Sequence, residues 1–157
     1  MRRLVPPRRF TIAALALAVA AFGAACGARE PEPIVLNEDA CDFCRMTISD
    51  ARFGGEAVLA TGRVKKFDSA ECLVSWARAT PAGSRGALYV IDLQHPGTFV
   101  PALTAGFLKG ALVKSPMGQA VVSFADTAKA EQQRAMLGGR VLTWAQLLAD
   151  TVFAAAP

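Results

Sequence analysis

Val64-Lys65-Lys66-Phe67-Asp68-Ser69-Ala70-Glu71 and Val121-Val122-Ser123-Phe124-Ala125-Asp126-Thr127-Ala128 share one grammar: an extended run closing on Phe, then an Asp-led helix start within two residues. Before the first, residues 56–61 read as a strand, Gly62-Arg63 as a tight turn and residues 64–67 as the hairpin partner. Asp68 to Glu71 reads as a capping box, with the Asp68 carboxylate on a free backbone N–H and Glu71 answering back. The helix is expected to run to about Ala79, burying Cys72, Leu73, Trp76 and Ala77 at helical spacing. Residues 80–86 read as loop and 87–93 as an apolar strand. Around the second stretch, residues 106–113 and 119–124 read as strands and Asp126 caps a helix to about Leu137. Gly138-Gly139 ends that helix, residues 140–142 form a short strand, and a last helix starts at Trp144. The expected class is α+β: two tandem ββαβ units, about 41–93 and 98–150, packed as one small domain on a shared core.

The chain opens on a secretory pattern. Arg2, Arg3, Arg8 and Arg9 form a positive region, residues 10–22 an apolar run, and Gly23-Ala24-Ala25 a set of small residues before Cys26. That run is too short for a comfortable membrane span. The arrangement resembles a bacterial lipoprotein signal, which implies removal of residues 1–25 and lipidation of Cys26. Residues 26–40, with Pro31 and Pro33, are then a lipidated tether, and residues 41–157 the folded domain. The expected address is the cell envelope, anchored by lipid to a membrane facing the periplasm, the outer membrane being the expected one. Charge follows the same division. Seventeen basic residues face thirteen acidic ones, but four of the arginines precede Cys26, leaving thirteen of each. No polybasic stretch survives that would suggest nucleic acid. An apolar fraction of 53% is ample for a core.

Cys41-Asp42-Phe43-Cys44-Arg45-Met46 places two thiols and a thioether within six residues. Soft sulfur donors select Cu(I), whereas carboxylate-rich sites select Ca²⁺ or Mg²⁺. The Cys-x-x-Cys pair alone fits a redox disulfide, a plain structural disulfide, half of a zinc site or a soft-metal clamp. Met46 is a poor zinc ligand and a good Cu(I) ligand, its bland alternative being core filler. Cys72, in the first helical turn, reads as a buried core thiol or as a further ligand whose thiolate the helix N-terminus favours. Met117 lies in the turn Lys114-Ser115-Pro116-Met117-Gly118, and donors on strand-connecting tips often face a site. Met136 falls on the second helix and reads as core. His95, the single histidine, reads as solvated or as an imidazole ligand, and with Cys72 it would complete a four-ligand zinc set. If Cys26 is acylated, three thiols remain in an oxidising compartment, so at least one is unpaired and must be buried or bound. With no Ser-His-Asp set and no Gly-rich phosphate loop, the chain reads as a binding protein and not an enzyme.

Cys41-Asp-Phe-Cys44-Arg-Met46, Arg52-Phe53, Gly62-Arg-Val-Lys-Lys-Phe67-Asp68-Ser-Ala-Glu-Cys72, Ser115-Pro-Met117-Gly118 and Gly138-Gly139-Arg-Val together resemble the NosL family. These are lipoproteins known as accessory proteins and copper chaperones for nitrous oxide reductase, an enzyme of denitrification. Family members commonly read Cys-x-x-Cys-Gly-Met and Phe-Asp-Asp. Here Arg45 stands for that Gly and Ser69 for the second Asp. The resemblance implies two ββαβ units and one Cu(I) bound by Cys and Met side chains. Its first ligands by position are Cys44, Met46 and Met117, with Cys41, Cys72 and His95 behind them. It also implies delivery to the membrane-bound machinery that assembles the reductase's copper-sulfide centre, a client given by analogy alone. Two other readings stay open: a periplasmic thiol–disulfide oxidoreductase using Cys41 and Cys44 with Cys72 as resolving thiol, and a structural zinc-binding lipoprotein.

Overall fold

The computed structural model describes residues 30–150; the expected signal, Cys26 and the start of the tether lie outside them. β1 (Gly55–Val58) and β2 (Val64–Phe67) form the first hairpin, α1 (Ala70–Ala79) follows, and β3 (Ala87–Ile91) returns against β1. A short 3₁₀ turn, Ala82–Ser84, lies in the connecting loop. The second unit repeats the course with β5 (Gly106–Lys109), β6 (Val121–Phe124), α2 (Thr127–Leu137) and β7 (Arg140–Thr143), then α3 (Trp144–Ala149). In each unit the first strand is central, flanked by its hairpin partner and by the strand that returns after the helix. The tandem ββαβ reading holds. One strand went unread: β4 (Phe99–Pro101) adds to β3 and makes the first sheet β2-β1-β3-β4. Three residues ending in proline carry almost no strand signal, and an edge position tolerates them.

The two helices start alike, but not where the sequence suggested for the first. Ser69, not Asp68, is the N-cap of α1, its Oγ accepting the Cys72 N–H at 3.3 Å. Asp126 caps α2 as expected, accepting the Lys129 N–H at 2.7 Å. Both caps fall two residues after the strand-ending Phe, so Ser69 matches Asp126, and Asp68 matches Ala125. The shift also undoes the expected box. Reciprocal capping needs Glu or Gln three residues after the cap, and that place belongs to Cys72, one past Glu71. A true capping box occurs at α3, between Thr143 and Gln146.

α1 packs on β1 and β2 of its own unit and on β6 and α3 of the other, so it lies at the junction of the two. One core results: Phe67, Leu73 and Val90 from the first unit are buried with Phe107, Val121, Leu142 and Leu147 from the second. The opposite face of the second sheet is covered by α2, which meets Phe124, Leu108 and Val122 through Ala130 and Leu137. Ala130, Gln133 and Leu137, at i, i+3 and i+7, make its inward stripe, and Met136 lies off it. Met136 is therefore 68% exposed, correcting the expectation of a core methionine. Residues 30–40 lie along the first sheet. The Glu32 N–H donates to Glu56 Oε2, Lys66 Nζ to the Pro33 carbonyl, and Ile34 packs on the core. Among the described residues no helix is long and apolar enough to cross a membrane.

Gly106 brings β5 against the start of α2, where a Cβ would lie 2.3 Å from the Asp126 carbonyl oxygen. Gly106→Ala is expected to lower stability by about 1–3 kcal/mol. Met136→Ala, on a solvated side chain, should change it by no more than about 0.5 kcal/mol. Urea unfolding of the two variants checks both.

Candidate metal centre

The site begins as a small closed loop ahead of β1. Ala40 and Thr47 form an antiparallel bridge, the Cys41 N–H donates to the Met46 carbonyl at 2.8 Å, and the Arg45 N–H donates to the Cys41 carbonyl at 3.0 Å. The last bond closes one helical turn, and such turns end on a left-handed residue, usually Gly. Arg45 holds that conformation, with φ of +65°. Arginine at this glycine-favouring position adds backbone strain of about 1 kcal/mol. Asp42 fastens the loop to the exposed edge of β2. Its N–H donates to the Lys66 carbonyl at 2.8 Å, and its carboxylate accepts the Lys66 N–H and the Lys65 ammonium, each at 3.0 Å.

This fastening sets the loop against the first turn of α1. The sulfurs of Cys41, Cys44 and Cys72 all lie within 4.8 Å of one another, and all three thiols are free. Their depths differ. Cys41 and Cys72 are fully buried, while Cys44 is half-buried beside exposed Met46. Their acidities differ too. A hydrogen bond from the Cys72 thiol, aided by the backbone N–H groups of Asp68, Cys44 and Phe43, holds the Cys41 thiol down at about 5, against the burial that opposes ionisation. The same bond and burial push Cys72 well up. Burial, with the neighbouring Cys41 charge, raises Cys44 despite a hydrogen bond from the Met46 N–H. Asp68 is pushed up to about 6 by burial first and then by the Cys41 charge. Of the three thiols, Cys41 is thus the one whose ionised form its surroundings favour.

Met117 reaches the same core from the other unit. Half-buried, it packs on the cluster that contains Cys41 and Cys72, as do Phe43 and Cys44. Its turn is closed by the Gly118 N–H on the Ser115 carbonyl at 3.0 Å, with Gly118 at φ of +73°. Serine first, proline second and glycine fourth is the composition that a type I turn favours. Met46, by contrast, projects with 54% of its surface in solvent. His95 is not in the group: its Nδ1 lies 2.8 Å from Asp92 Oδ2, and its ring is 70% exposed. Among the described residues no histidine or carboxylate joins the three thiols. Sequence reasoning missed the Asp68 N–H donated to Cys41 and the contact of Glu71 with Ser115. Both join segments far apart along the chain, and no local pattern marks them.

A family model described as NosL matches residues 33–152. The chain is 34% identical over 152 residues to a protein described as copper-binding lipoprotein NosL from Stutzerimonas stutzeri, covering 87% of this chain and 78% of that one. Among solved structures it is similar to one described as the copper chaperone NosL from Shewanella denitrificans, with a TM-score of 0.66 and 24% identity. That match covers 74% of this chain and 94% of the other, and it shows a shared fold.

Arg45→Gly should relieve the left-handed strain and raise stability by about 0.5 kcal/mol, part of the gain being returned through the freer unfolded chain. Arg45→Val should lower it. Thermal unfolding of the two variants beside the unmutated chain decides the matter. In the reduced, metal-free protein, thiolate ultraviolet absorption should persist down to about pH 5, the level at which Cys41 is held. Cys72→Ala removes the leading cause and should move that step up toward the ordinary thiol value of about 8.5.

Proposed function

The chain belongs to the NosL family, and from that premise we propose that it is an envelope lipoprotein that binds one Cu(I) and passes it to a copper-site assembly pathway. It is a binding and transfer protein, not an enzyme. One observation carries the reading: three cysteine sulfurs converge within 4.8 Å, with no harder donor among the described residues to complete a zinc set. Soft donors of this kind suit Cu(I). The proposed ligands are Cys44, Met46 and Met117, with Cys41 and Cys72 behind them in the same cluster. The differing depths suit transfer. Exposed Met46 and half-buried Cys44 offer an incoming ligand an approach, while the buried pair keeps sulfur available from within. Lipidation at Cys26 would hold the domain at a membrane facing the periplasm, and maturation of nitrous oxide reductase is the proposed destination of the copper.

Thiol–disulfide exchange has one observation in its favour, the depressed Cys41 thiol. The arrangement is nevertheless the wrong way round for it. An attacking thiol must be both ionised and accessible, whereas here the thiol with the lowered pKa is buried and that of the more accessible Cys44 is raised.

Anaerobic competition titrations of the reduced protein should give about one Cu(I) per chain, bound far more tightly than Zn²⁺. Cys44→Ser should abolish copper transfer, and Met117→Ala should weaken binding with the fold intact. Zinc binding as tight as copper would overturn the reading. So would disulfide-linked client adducts accumulating in Cys44→Ser while Cu(I) binding is unchanged.

A further inference from the structure

Glu71 is buried, 2% exposed, in the first turn of α1, and the described structure gives only one of its carboxyl oxygens a partner. A buried carboxyl group with an unmatched oxygen is costly, and the helix N-terminus offsets only part of that. Both hydrogen bonds it does accept come from the second unit. Its Oε1 receives the Ser115 hydroxyl and, at 3.2 Å, the Val121 N–H. Ser115 Oγ in turn accepts the Ala120 N–H at 2.9 Å. Ala120 is a non-glycine residue at φ of +52°, held there by this bond and by its carbonyl, which accepts the Gly110 and Ala111 N–H groups. Glu71 and Ser115 therefore grip residues 115–121 on both sides of Met117. The next residue after Glu71 is Cys72, one of the three clustered thiols.

We infer that Glu71 is a positioning residue: it fixes the Met117 turn relative to the thiol cluster, so that one helical turn sets both the thiol and the thioether sides of the Cu(I) site. The inference rests on the copper-binding reading for its consequence, but not for its geometry. Cys72 reaches the site directly, while Glu71 acts on it through Ser115 and Met117. A carboxyl oxygen is needed there as an acceptor. Glutamine supplies one as well, and alanine does not.

Two readouts on the full chain in detergent separate the parts. In the metal-free protein labelled with ¹³C-methyl methionine, Glu71→Ala or Ser115→Ala should move the Met117 methyl resonance and leave those of Met46 and Met136 in place. By competition titration the same variants should hold Cu(I) about 10- to 100-fold more weakly, the usual effect of losing an outer-shell partner. Glu71→Gln should recover most of that loss. Either variant combined with Met117→Ala should lose no more than Met117→Ala alone, because residues acting through one another are not additive. An unmoved Met117 resonance, or losses that simply add, overturns the inference. If Glu71→Ala does not fold, Ser115→Ala alone decides it. If the unmutated chain fails to hold Cu(I) tightly, the copper reading falls, while the methyl resonance still decides whether Glu71 places Met117.

Discussion

The close approach of the Cys41 and Cys72 sulfurs, within 4.8 Å, joins a loop outside the sheets to the helix at the centre of the fold. Everything at the site follows from that junction. Cys72 is fixed because α1 is buried on two sides, by its own sheet and by β6 and α3 of the second unit. Cys41 is fixed because Asp42 zips the loop to the edge of β2 through two backbone-directed bonds and a lysine. With both ends held, the lowered Cys41 pKa is a consequence of geometry: a buried sulfur surrounded by N–H groups and a neighbouring thiol is more stable as an anion.

That arrangement puts the thiol most favoured to ionise deep and leaves a half-buried thiol beside an exposed thioether nearer the surface. For a carrier, the two requirements of holding and releasing conflict unless they are assigned to different atoms. The depths of the sulfurs divide in a way that suits the proposed role, Cys41 and Cys72 inside and Cys44 and Met46 at the rim. Met117, from the other unit, packs on the same core cluster as Cys41 and Cys72, so the two halves of the fold meet beside the thiols.

The internal repeat explains why only one half bears the cluster. Both units place an N-cap two residues after the strand-ending Phe, and both caps grip the backbone three residues on. In the first unit that third residue is Cys72, buried at the junction; in the second it is Lys129, on the exposed side of α2. The same turn thus carries a clustered thiol in one copy and a solvated lysine in the other. Burial on two sides, and not capping, makes the difference.

Most of the secondary structure was legible in the sequence because it depends on local terms: strand alternation, the Phe-then-cap rhythm, the glycine pair that ends α2 and the apolar stripe of α1. The sulfur donors were legible too, as residue types with an unusual local density. What the sequence left open are the matters that depend on which distant surfaces meet. The cap of α1 is Ser69 and not Asp68 because the helix starts two residues after the strand-ending Phe, as in the second unit. Met136 proved solvated because α2 covers its sheet with a narrow stripe that misses it. Residues 30–40 lie on the sheet because Glu56 and Lys66 offer them partners that no local pattern announces. Arg45 keeps a path suited to glycine because the loop is closed by bonds strong enough to hold it there. Convergence of Cys41, Cys44 and Cys72 needed the packing of α1 against the loop, and the grip of Glu71 on the Met117 turn needed the second unit against the first. Sequence named the donors through local chemistry; tertiary structure decided their depth, their charge and their neighbours, because those are set by long-range burial.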